Sequence, residues 1–427
     1  MLQFQVLRQE VFNMAEKTKQ TKRTPKRSSA GSAGASRSGG QRLRRKQAEA
    51  YRAKKVQYWT GIGILFGLVL LLNILSRLSH GFCDWYSRYV FPVWLNTYGR
   101  LTSLLPFSLG EWLIIAALIL VTVILILWIP ALILKRKDTG LKFRYYTKRF
   151  YRFALVVFLD VALIMTLNCF ILYNRTPLDP NPKAEKREYS VDDLYKLREF
   201  LAKNVNELVV ALPRDAEGKL AYDGSLQKSA VKAMHGIADD YPLLDGWIPK
   251  VKSMRIFANV LSQSYICGYY LPFSMEANVN PIMYLTNFPE CYCHELAHVR
   301  GYILEDEANF ISYLACIESE DPLFRYSGYL SVFWYVEEDL QEALAANPAL
   351  SYSFTALNES VYEDDVFLTE ETWNEVEESA VISTETVDKI SDKVTDTELK
   401  LSGVASGIES YSEVVRLLLR YYDGKLY

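Results

Sequence analysis

The strongest signal in the chain is HELAHVRGYILEDEANF, residues 294–310. His294 and His298 stand four residues apart, which on an α-helix places two imidazoles on one face, one turn apart. Imidazoles in that arrangement can bind one metal ion, and Glu295 beside them can act as a general base. The chain has only 4 histidines, so the motif is a specific signal. The sequence therefore predicts a Zn²⁺ site with His294 and His298 as ligands and Glu295 as the catalytic residue.

The residues around the motif predict two consecutive helices. Pro289 and Glu290 suit the first turn of a helix, where a missing N–H costs nothing and a negative charge is favourable. Gly301 can end that helix in a left-handed turn. A second helix starting near residue 305 could then return a carboxylate to the metal.

Glu305 is the predicted third metal ligand. Asn309 lies four residues further on the same helical face, where it could accept a hydrogen bond from a ligand histidine and fix the ring. Glu307 points roughly the other way around the helix and is the alternative third ligand. Without the histidines, this acidic cluster would be interpreted as an ordinary helix N-terminus that favours negative charge.

Three apolar stretches precede the motif, at residues 59–78, 112–134 and 153–173. Each has about the 20 residues that an α-helix needs to cross the hydrocarbon core of a bilayer. We therefore predict a region of three transmembrane helices over residues 58–174. The lipid bilayer is accordingly an expected partner.

The rest of the chain is predicted from composition. Residues 1–57 are rich in Lys, Arg, Ser and Gly and are expected to form a disordered basic tail on the cytoplasmic side. Prolines and charges over residues 175–188 indicate a linker. Residues 189–427 form the predicted soluble domain, which opens with a helix capped by Ser190 and Asp193.

The segment at residues 251–273 favours a short strand or hairpin because β-branched and aromatic residues are interrupted by Gly268 and Pro272. A strand edge there could pair with an extended peptide. Three polar residues would then line the cleft, although capping or turn roles are equally open to them: Glu276, Asn278 and Asn280. No residue is assigned firmly to substrate binding. Arg300 and His235 could stabilise an oxyanion, although an exposed charge and a satisfied histidine are commoner.

Charge is distributed unevenly along the chain. Residues 1–173 hold 26 of the 48 Lys and Arg residues but only 7 of the 50 Asp and Glu residues, so residues 174–427 are strongly acidic. Phosphate contacts need Lys and Arg, which argues against a nucleic-acid partner for the domain.

Lysine and arginine also orient the predicted spans because these residues are retained on the cytoplasmic side. Fifteen precede the first span, two lie between the first and second, and seven lie between residues 135 and 149. The expected protein is a multi-pass protein of the cell membrane with a cytoplasmic N-terminus and an extracytoplasmic C-terminal domain. Its 6 cysteines form no regular framework, so free thiols are expected, with a bridge from Cys267 to Cys291 or Cys293 as the alternative.

Two resemblances extend this interpretation. Glu305-x-x-x-Asn309 is similar to the pattern of thermolysin-like gluzincins, although Asn309 replaces their Asp and the interval from His298 is shorter. Segments such as LPFSLGEW, GYYLPFSMEANVN and HELAHVRG resemble the bacterial membrane family named domain of unknown function 3810. That resemblance implies a membrane-anchored zinc peptidase and leaves the substrate open. The expected fold class is mainly α, with three N-terminal transmembrane helices followed by an α-rich, zincin-like extracytoplasmic domain that contains a small sheet.

The expected function is zinc-dependent hydrolysis of peptide bonds, in peptides or proteins, at the outer face of the membrane. The alternative is a membrane sensor or regulator whose gluzincin-like domain binds a ligand or cleaves itself. A decayed site would be expected to lose Glu295 or a histidine first, and all three residues are present.

Overall fold

The computed structural model describes residues 33–133, 138–402, 404 and 413–427. It is mainly helical and contains one small mixed sheet. The chain divides into two compact units, Met1–Gly63 and Ile64–Tyr427. The candidate site and every contact discussed below lie in the second unit.

The elements are numbered here in chain order. The α-helices are α1 (Ala33–Leu78), α2 (His80–Trp85), α3 (Phe91–Trp94), α4 (Arg100–Ser103), α5 (Leu109–Ile133), α6 (Asp138–Met165), α7 (Ile171–Tyr173), α8 (Val191–Val209), α9 (Leu226–Gly236), α10 (Ala258–Gln263), α11 (Asn287–Val299), α12 (Glu305–Ile317), α13 (Pro322–Ala346), α14 (Glu359–Asp364), α15 (Glu370–Ser379), α16 (Thr384–Ser402) and α17 (Val414–Tyr422). Turns of π-helix cover Tyr86–Val90, Leu95–Gly99 and Thr166–Phe170, and one 3₁₀ turn covers Pro242–Leu244. The strands are β1 (Lys252–Ser253), β2 (Gly268–Leu271) and β3 (Glu276–Val279).

Three helical stretches are long and apolar enough to span a membrane: Arg45–Leu78, Leu109–Pro130 and Phe143–Tyr173. The predicted spans coincide with their apolar portions, except that the second predicted span extends past Pro130 to Leu134, and Leu134 lies outside the described residues. The three stretches are consistent with a membrane protein.

The predicted disordered tail differs from the structure over residues 33–57, which belong to α1. Residues 41–57 read QRLRRKQAEAYRAKKVQ and consist mostly of Ala, Arg, Lys, Gln and Glu, which are strong helix formers. Because the apolar span that follows is helical, these residues extend an existing helix and need no separate nucleus. The remainder of the predicted tail, residues 1–32, lies outside the described residues.

The domain after residue 189 is built on helices. Ser190 and Asp193 form the predicted capping box at the start of α8. Helix α8 packs against α13, while α11, α12 and α13 pack on one another. The core contains fully buried aromatic side chains such as Phe310, Phe324 and Phe333. Each of these contributes roughly 2–3 kcal/mol through burial, which holds the helices of the candidate site rigidly together.

The three strands form a sheet in the order β1-β3-β2, in which β1 pairs parallel and β2 antiparallel with β3. The segment predicted to form a short strand or hairpin, residues 251–273, contains the two strands β1 and β2 with α10 between them, and the hairpin itself is formed by β2 with β3, which lies beyond that segment. Because β3 is the central strand and both of its edges are occupied, it cannot pair with a peptide, so the cleft role considered for Glu276 and Asn278 on β3 and for Asn280 just after it finds no support. Glu276, Asn278 and Asn280 are buried, and Asn280 donates to Ser262 Oγ at 2.9 Å.

The domain is joined to the connector, which we define as residues 79–108 between the first two candidate spans. Tyr98 donates to the carbonyl of Phe273 at 2.6 Å and Thr102 to that of Ser274 at 2.8 Å. The buried Glu276 carboxylate accepts from Gly110 N at 2.9 Å, at the start of α5. The β2–β3 hairpin is thus fixed by hydrogen bonds to the connector and to the start of the second candidate span.

Candidate metal centre

The two histidines and the third carboxylate come from consecutive helices. Helix α11 ends at Val299, and Gly301 follows with a φ of +102°, a conformation that glycine adopts at little cost. The short turn brings Glu305, the first residue of α12, back toward α11. The predicted helix–turn–helix is therefore confirmed.

Three side-chain atoms converge at the site. Glu305 Oε2 lies 3.2 Å from His294 Nε2 and 3.4 Å from His298 Nε2. Neither approach has the geometry of a hydrogen bond, and Glu305 Oε2 is buried. Two ligands of a tetrahedral zinc ion stand roughly 3.3 Å apart, so this arrangement of two nitrogens and one oxygen has the dimensions of a metal site.

The orientation of the His298 ring strengthens that argument. Its Nδ1 lies 2.8 Å from the carbonyl oxygen of Tyr302, and because a carbonyl only accepts, Nδ1 must carry the donated proton. In the neutral ring Nε2 then presents a lone pair toward Glu305 Oε2. Two lone pairs at this distance repel each other unless a proton or a cation lies between them. The carbonyl of Tyr302 thus favours the tautomer whose Nε2 lone pair is available to a metal ion.

The pKa values of His294 and Glu305 are shifted by their mutual proximity. Burial lowers the pKa of His294, but the neighbouring Glu305 carboxylate outweighs burial and raises that pKa to about 10. Burial also acts to raise the pKa of Glu305, yet the positive charges of His298 and His294 bring it well below its usual range. A divalent cation would compete with protons for the same nitrogen lone pairs.

Glu295 is buried beside the three convergent atoms. Burial first, and then the charges of Glu305 and Glu290, raise its pKa to about 7, against the effect of the two histidines. Its Oε2 has no hydrogen-bond partner among the described residues. On the other side of the carboxylate lies Gly268 of β2, which approaches more closely than any residue with a Cβ could.

Comparison with known proteins identifies a family. The family model described as protein of unknown function (DUF3810) matches residues 86–419. The chain belongs to this family. No curated protein and no solved structure matches the chain. The chemistry of this DUF3810 protein must therefore be argued from its own site.

In the DUF3810 protein Glu307 lies away from the three convergent atoms. It forms a buried ion pair with Arg175 and accepts from Leu178 N at 2.7 Å, so it fixes the chain that follows the third candidate span. Asn309 is half-buried, one turn after Glu305, and its predicted hydrogen bond to a ligand histidine stays a prediction.

The two residues considered for oxyanion stabilisation have other partners. The buried guanidinium of Arg300 donates to the carbonyls of Leu243 and Trp247 at 2.7 and 3.2 Å. His235 Nε2 lies 2.9 Å from the carbonyl of Gly246. Neither side chain contacts the three convergent atoms. His235 fits the commoner alternative of a satisfied histidine, whereas Arg300 is a buried, hydrogen-bonded guanidinium and not the exposed charge that was the alternative for it.

Tyr335 of α13, which the sequence did not single out, lies within electrostatic range of Glu290 and Glu305. Burial first, and then the negative charges of Glu290, Cys267 and Glu305, raise the pKa of this phenol to about 12. Its position in the sequence carries no signal of this proximity, because α13 reaches the site only through helix packing. Gly268 was identified only as an interruption of a strand, and a glycine inside a strand is a known sign of close backbone approach.

Proposed function

We propose that this DUF3810 protein is a membrane-anchored, zinc-dependent metallopeptidase that hydrolyses peptide bonds at the outer face of the cell membrane. The convergence of His294 Nε2, His298 Nε2 and Glu305 Oε2 beside a buried glutamate carries the proposal. His294, His298 and Glu305 would hold Zn²⁺. Zinc, when bound, supplies Lewis-acid polarisation of a water and of a carbonyl.

Glu295 would move the proton. With a pKa of about 7, its carboxylate can accept a proton through Oε2 and return it near neutral pH. The proton comes from the attacking water and goes to the leaving nitrogen of the peptide bond. Glu295 extends from α11, and Gly268 of β2 packs against its carboxylate and holds it in position for this step.

The location at the outer face rests on the charge distribution around the three candidate spans. Lysine and arginine are concentrated before the first span and between the second and third. This supports a cytoplasmic N-terminus and an extracytoplasmic domain of zincin-like architecture. A reporter fused after Tyr427 is expected to be active only outside the cytoplasm, and cytoplasmic activity would reverse the orientation.

Metal content tests the site. We expect about one zinc per chain in the purified full-length protein and in Glu295→Gln, but little in His294→Ala. His235→Ala is the matched control, because it removes a histidine of the same domain that lies away from the site, and it should retain zinc. Equal zinc in His294→Ala and His235→Ala would refute the proposed metal site.

Hydrolysis is a separate measurement. The zinc-loaded protein, reconstituted in vesicles, is expected to cleave members of a fluorogenic peptide library, and Glu295→Gln should bind the same amount of zinc and cleave none of them. Zinc binding without hydrolysis by the wild type would instead favour the sensor or regulator.

A further inference from the structure

The connector presents two unlike faces. One face is buried in the second unit and includes Phe91, Leu95, Gly99 and Thr102. The other exposes large apolar and aromatic side chains: Trp85, Tyr89, Val93, Trp94, Leu101 and Leu104. Tyr89, Leu101 and Leu104 are exposed over 60%, 65% and 79% of their surfaces. The connector is thus a largely helical segment whose outward face is apolar and is not covered by any of the residues that the structure describes.

An apolar face of this kind is unusual on a soluble surface and marks an interaction site. The chain itself indicates the partner. The first candidate span ends at Leu78 and the second begins at Leu109, so both ends of the connector are held at the membrane boundary. A surface that continues directly from two lipid-facing helices is in contact with the same lipid.

The composition of the exposed face also suits the membrane interface. Trp and Tyr are enriched at the level of the lipid head groups, where an apolar ring with a polar edge is favourable. The connector has two basic residues, Arg88 and Arg100, and both are exposed. A segment with charges of this kind beside an apolar stripe lies in the interface plane and does not cross the hydrocarbon core.

We propose that the connector is an interfacial helix whose exposed face is immersed at the boundary between head groups and acyl chains. The bilayer that holds the three spans is its partner. This proposal does not depend on zinc binding or hydrolysis.

The buried face links this anchor to the candidate metal centre. A Cβ at Gly301 would lie 3.7 Å from the ring of Phe91, so the connector touches the turn between α11 and α12. Tyr98 and Thr102 bind the tip of the β2–β3 hairpin, and β2 lies against Glu295. The anchored helix therefore holds the site close to the membrane surface.

Lipid quenching of a fluorophore tests the proposal in the full-length protein. Tyr89→Cys and Leu101→Cys place a thiol on the exposed face, and Tyr362→Cys is the matched control, since Tyr362 is 56% exposed on α14 of the domain. Each variant is labelled with an environment-sensitive nitrobenzoxadiazole probe and reconstituted in phosphatidylcholine–phosphatidylglycerol vesicles. The wild type serves as the labelling blank because five of its cysteines are buried.

We expect nitroxide lipids labelled near the head group to quench the probe at residues 89 and 101 about twofold or more over the probe at residue 362. The emission at residues 89 and 101 should also shift to the blue. Quenching at both positions no greater than at residue 362 would overturn the proposal. A blue-shifted probe that nitroxide lipids do not quench would also overturn it, since another protein surface would then cover the face. The second position keeps the test valid if one substitution disturbs folding.

Discussion

Gly268 and Glu295 lie so close that a Cβ at position 268 would stand 2.6 Å from Glu295 Oε1 and 2.7 Å from the carbonyl of Asn278. Gly268→Ala must therefore displace either the glutamate or the strand pairing of β2 with β3. Such overpacking costs about 1–3 kcal/mol. We expect Gly268→Ala to lower the melting temperature and to abolish peptide cleavage while zinc content is retained, because Glu295 is not a ligand.

Gly236→Ala is the matched control for this prediction. A Cβ at residue 236 meets nothing within 4 Å, and the residue lies at the end of a helix in the same domain. This variant should melt at or slightly above the wild-type temperature and keep activity. If Gly268→Ala behaves like Gly236→Ala, the close approach of β2 to the glutamate does not matter for the site.

A pair of glutamate substitutions separates metal binding from architecture. Glu305→Gln should lose zinc because it removes a ligand oxygen. Glu307→Gln should keep zinc but lose about 3 kcal/mol of stability, because Arg175 is left buried without its carboxylate. The zinc content and the melting temperature of both variants are measured. If Glu307→Gln alone loses zinc, Glu307 is the metal ligand and Glu305 is not.

These residues also show what the sequence can predict. Helical periodicity and the four-residue spacing predicted that His294 and His298 share a face, and Gly301 predicted the turn, because both effects are local. The ranking of Glu305 over Glu307 came from the same helical geometry. The ion pair of Glu307 could not be predicted, since its partner Arg175 lies 132 residues away.

Long-range packing limited the other predictions. Glu276 was expected near a cleft but binds the start of a candidate span, because the strand order of the sheet is not encoded in the local pattern. The connector was counted as a loop with two basic residues. Its helical pattern is interrupted by π-helical turns at Tyr86–Val90 and Leu95–Gly99, which break the regular helical period.

Asp339 of α13 gives a pH-dependent prediction away from the metal centre. Burial first, and then the charges of Glu342 and Glu338, raise its pKa from 3.8 to about 6. The ionised carboxylate is therefore disfavoured in the folded protein. As pH rises from about 4 to above 6, folding must work against this ionisation, and the protein loses stability over that interval.

Asp339→Asn removes this effect. At pH 7.5 we expect the variant to melt about 2 °C above the wild type, and at pH 4 the two should melt together. Both proteins keep the residues of the proposed metal site, so any acid release of a metal would cancel in the difference. An equal difference in melting temperature between variant and wild type at both pH values would show that Asp339 does not titrate as described.

The strand β2 connects the candidate site to the second candidate span and leads to the last prediction. Gly268 lies against Glu295 at one end of β2, and Leu271 lies against Gly110, in the first turn of α5, at the other. Three residues of strand span about 10 Å. If the proposed hydrolysis and the proposed anchoring both hold, the preferred substrates are polypeptide segments close to the membrane surface.

A tethered substrate tests this preference. A fluorogenic peptide that the protein cleaves is attached to a lipid through a short flexible spacer and compared with the free peptide on the same proteoliposomes. Tethering raises the effective concentration at the site, so we expect at least about a tenfold faster cleavage of the anchored peptide. Glu295→Gln gives the background for both substrates. Equal cleavage rates for the two peptides would contradict a membrane-proximal site. Cleavage of neither peptide would contradict the proposed peptidase activity, and the anchoring of the connector would then be tested by lipid quenching alone.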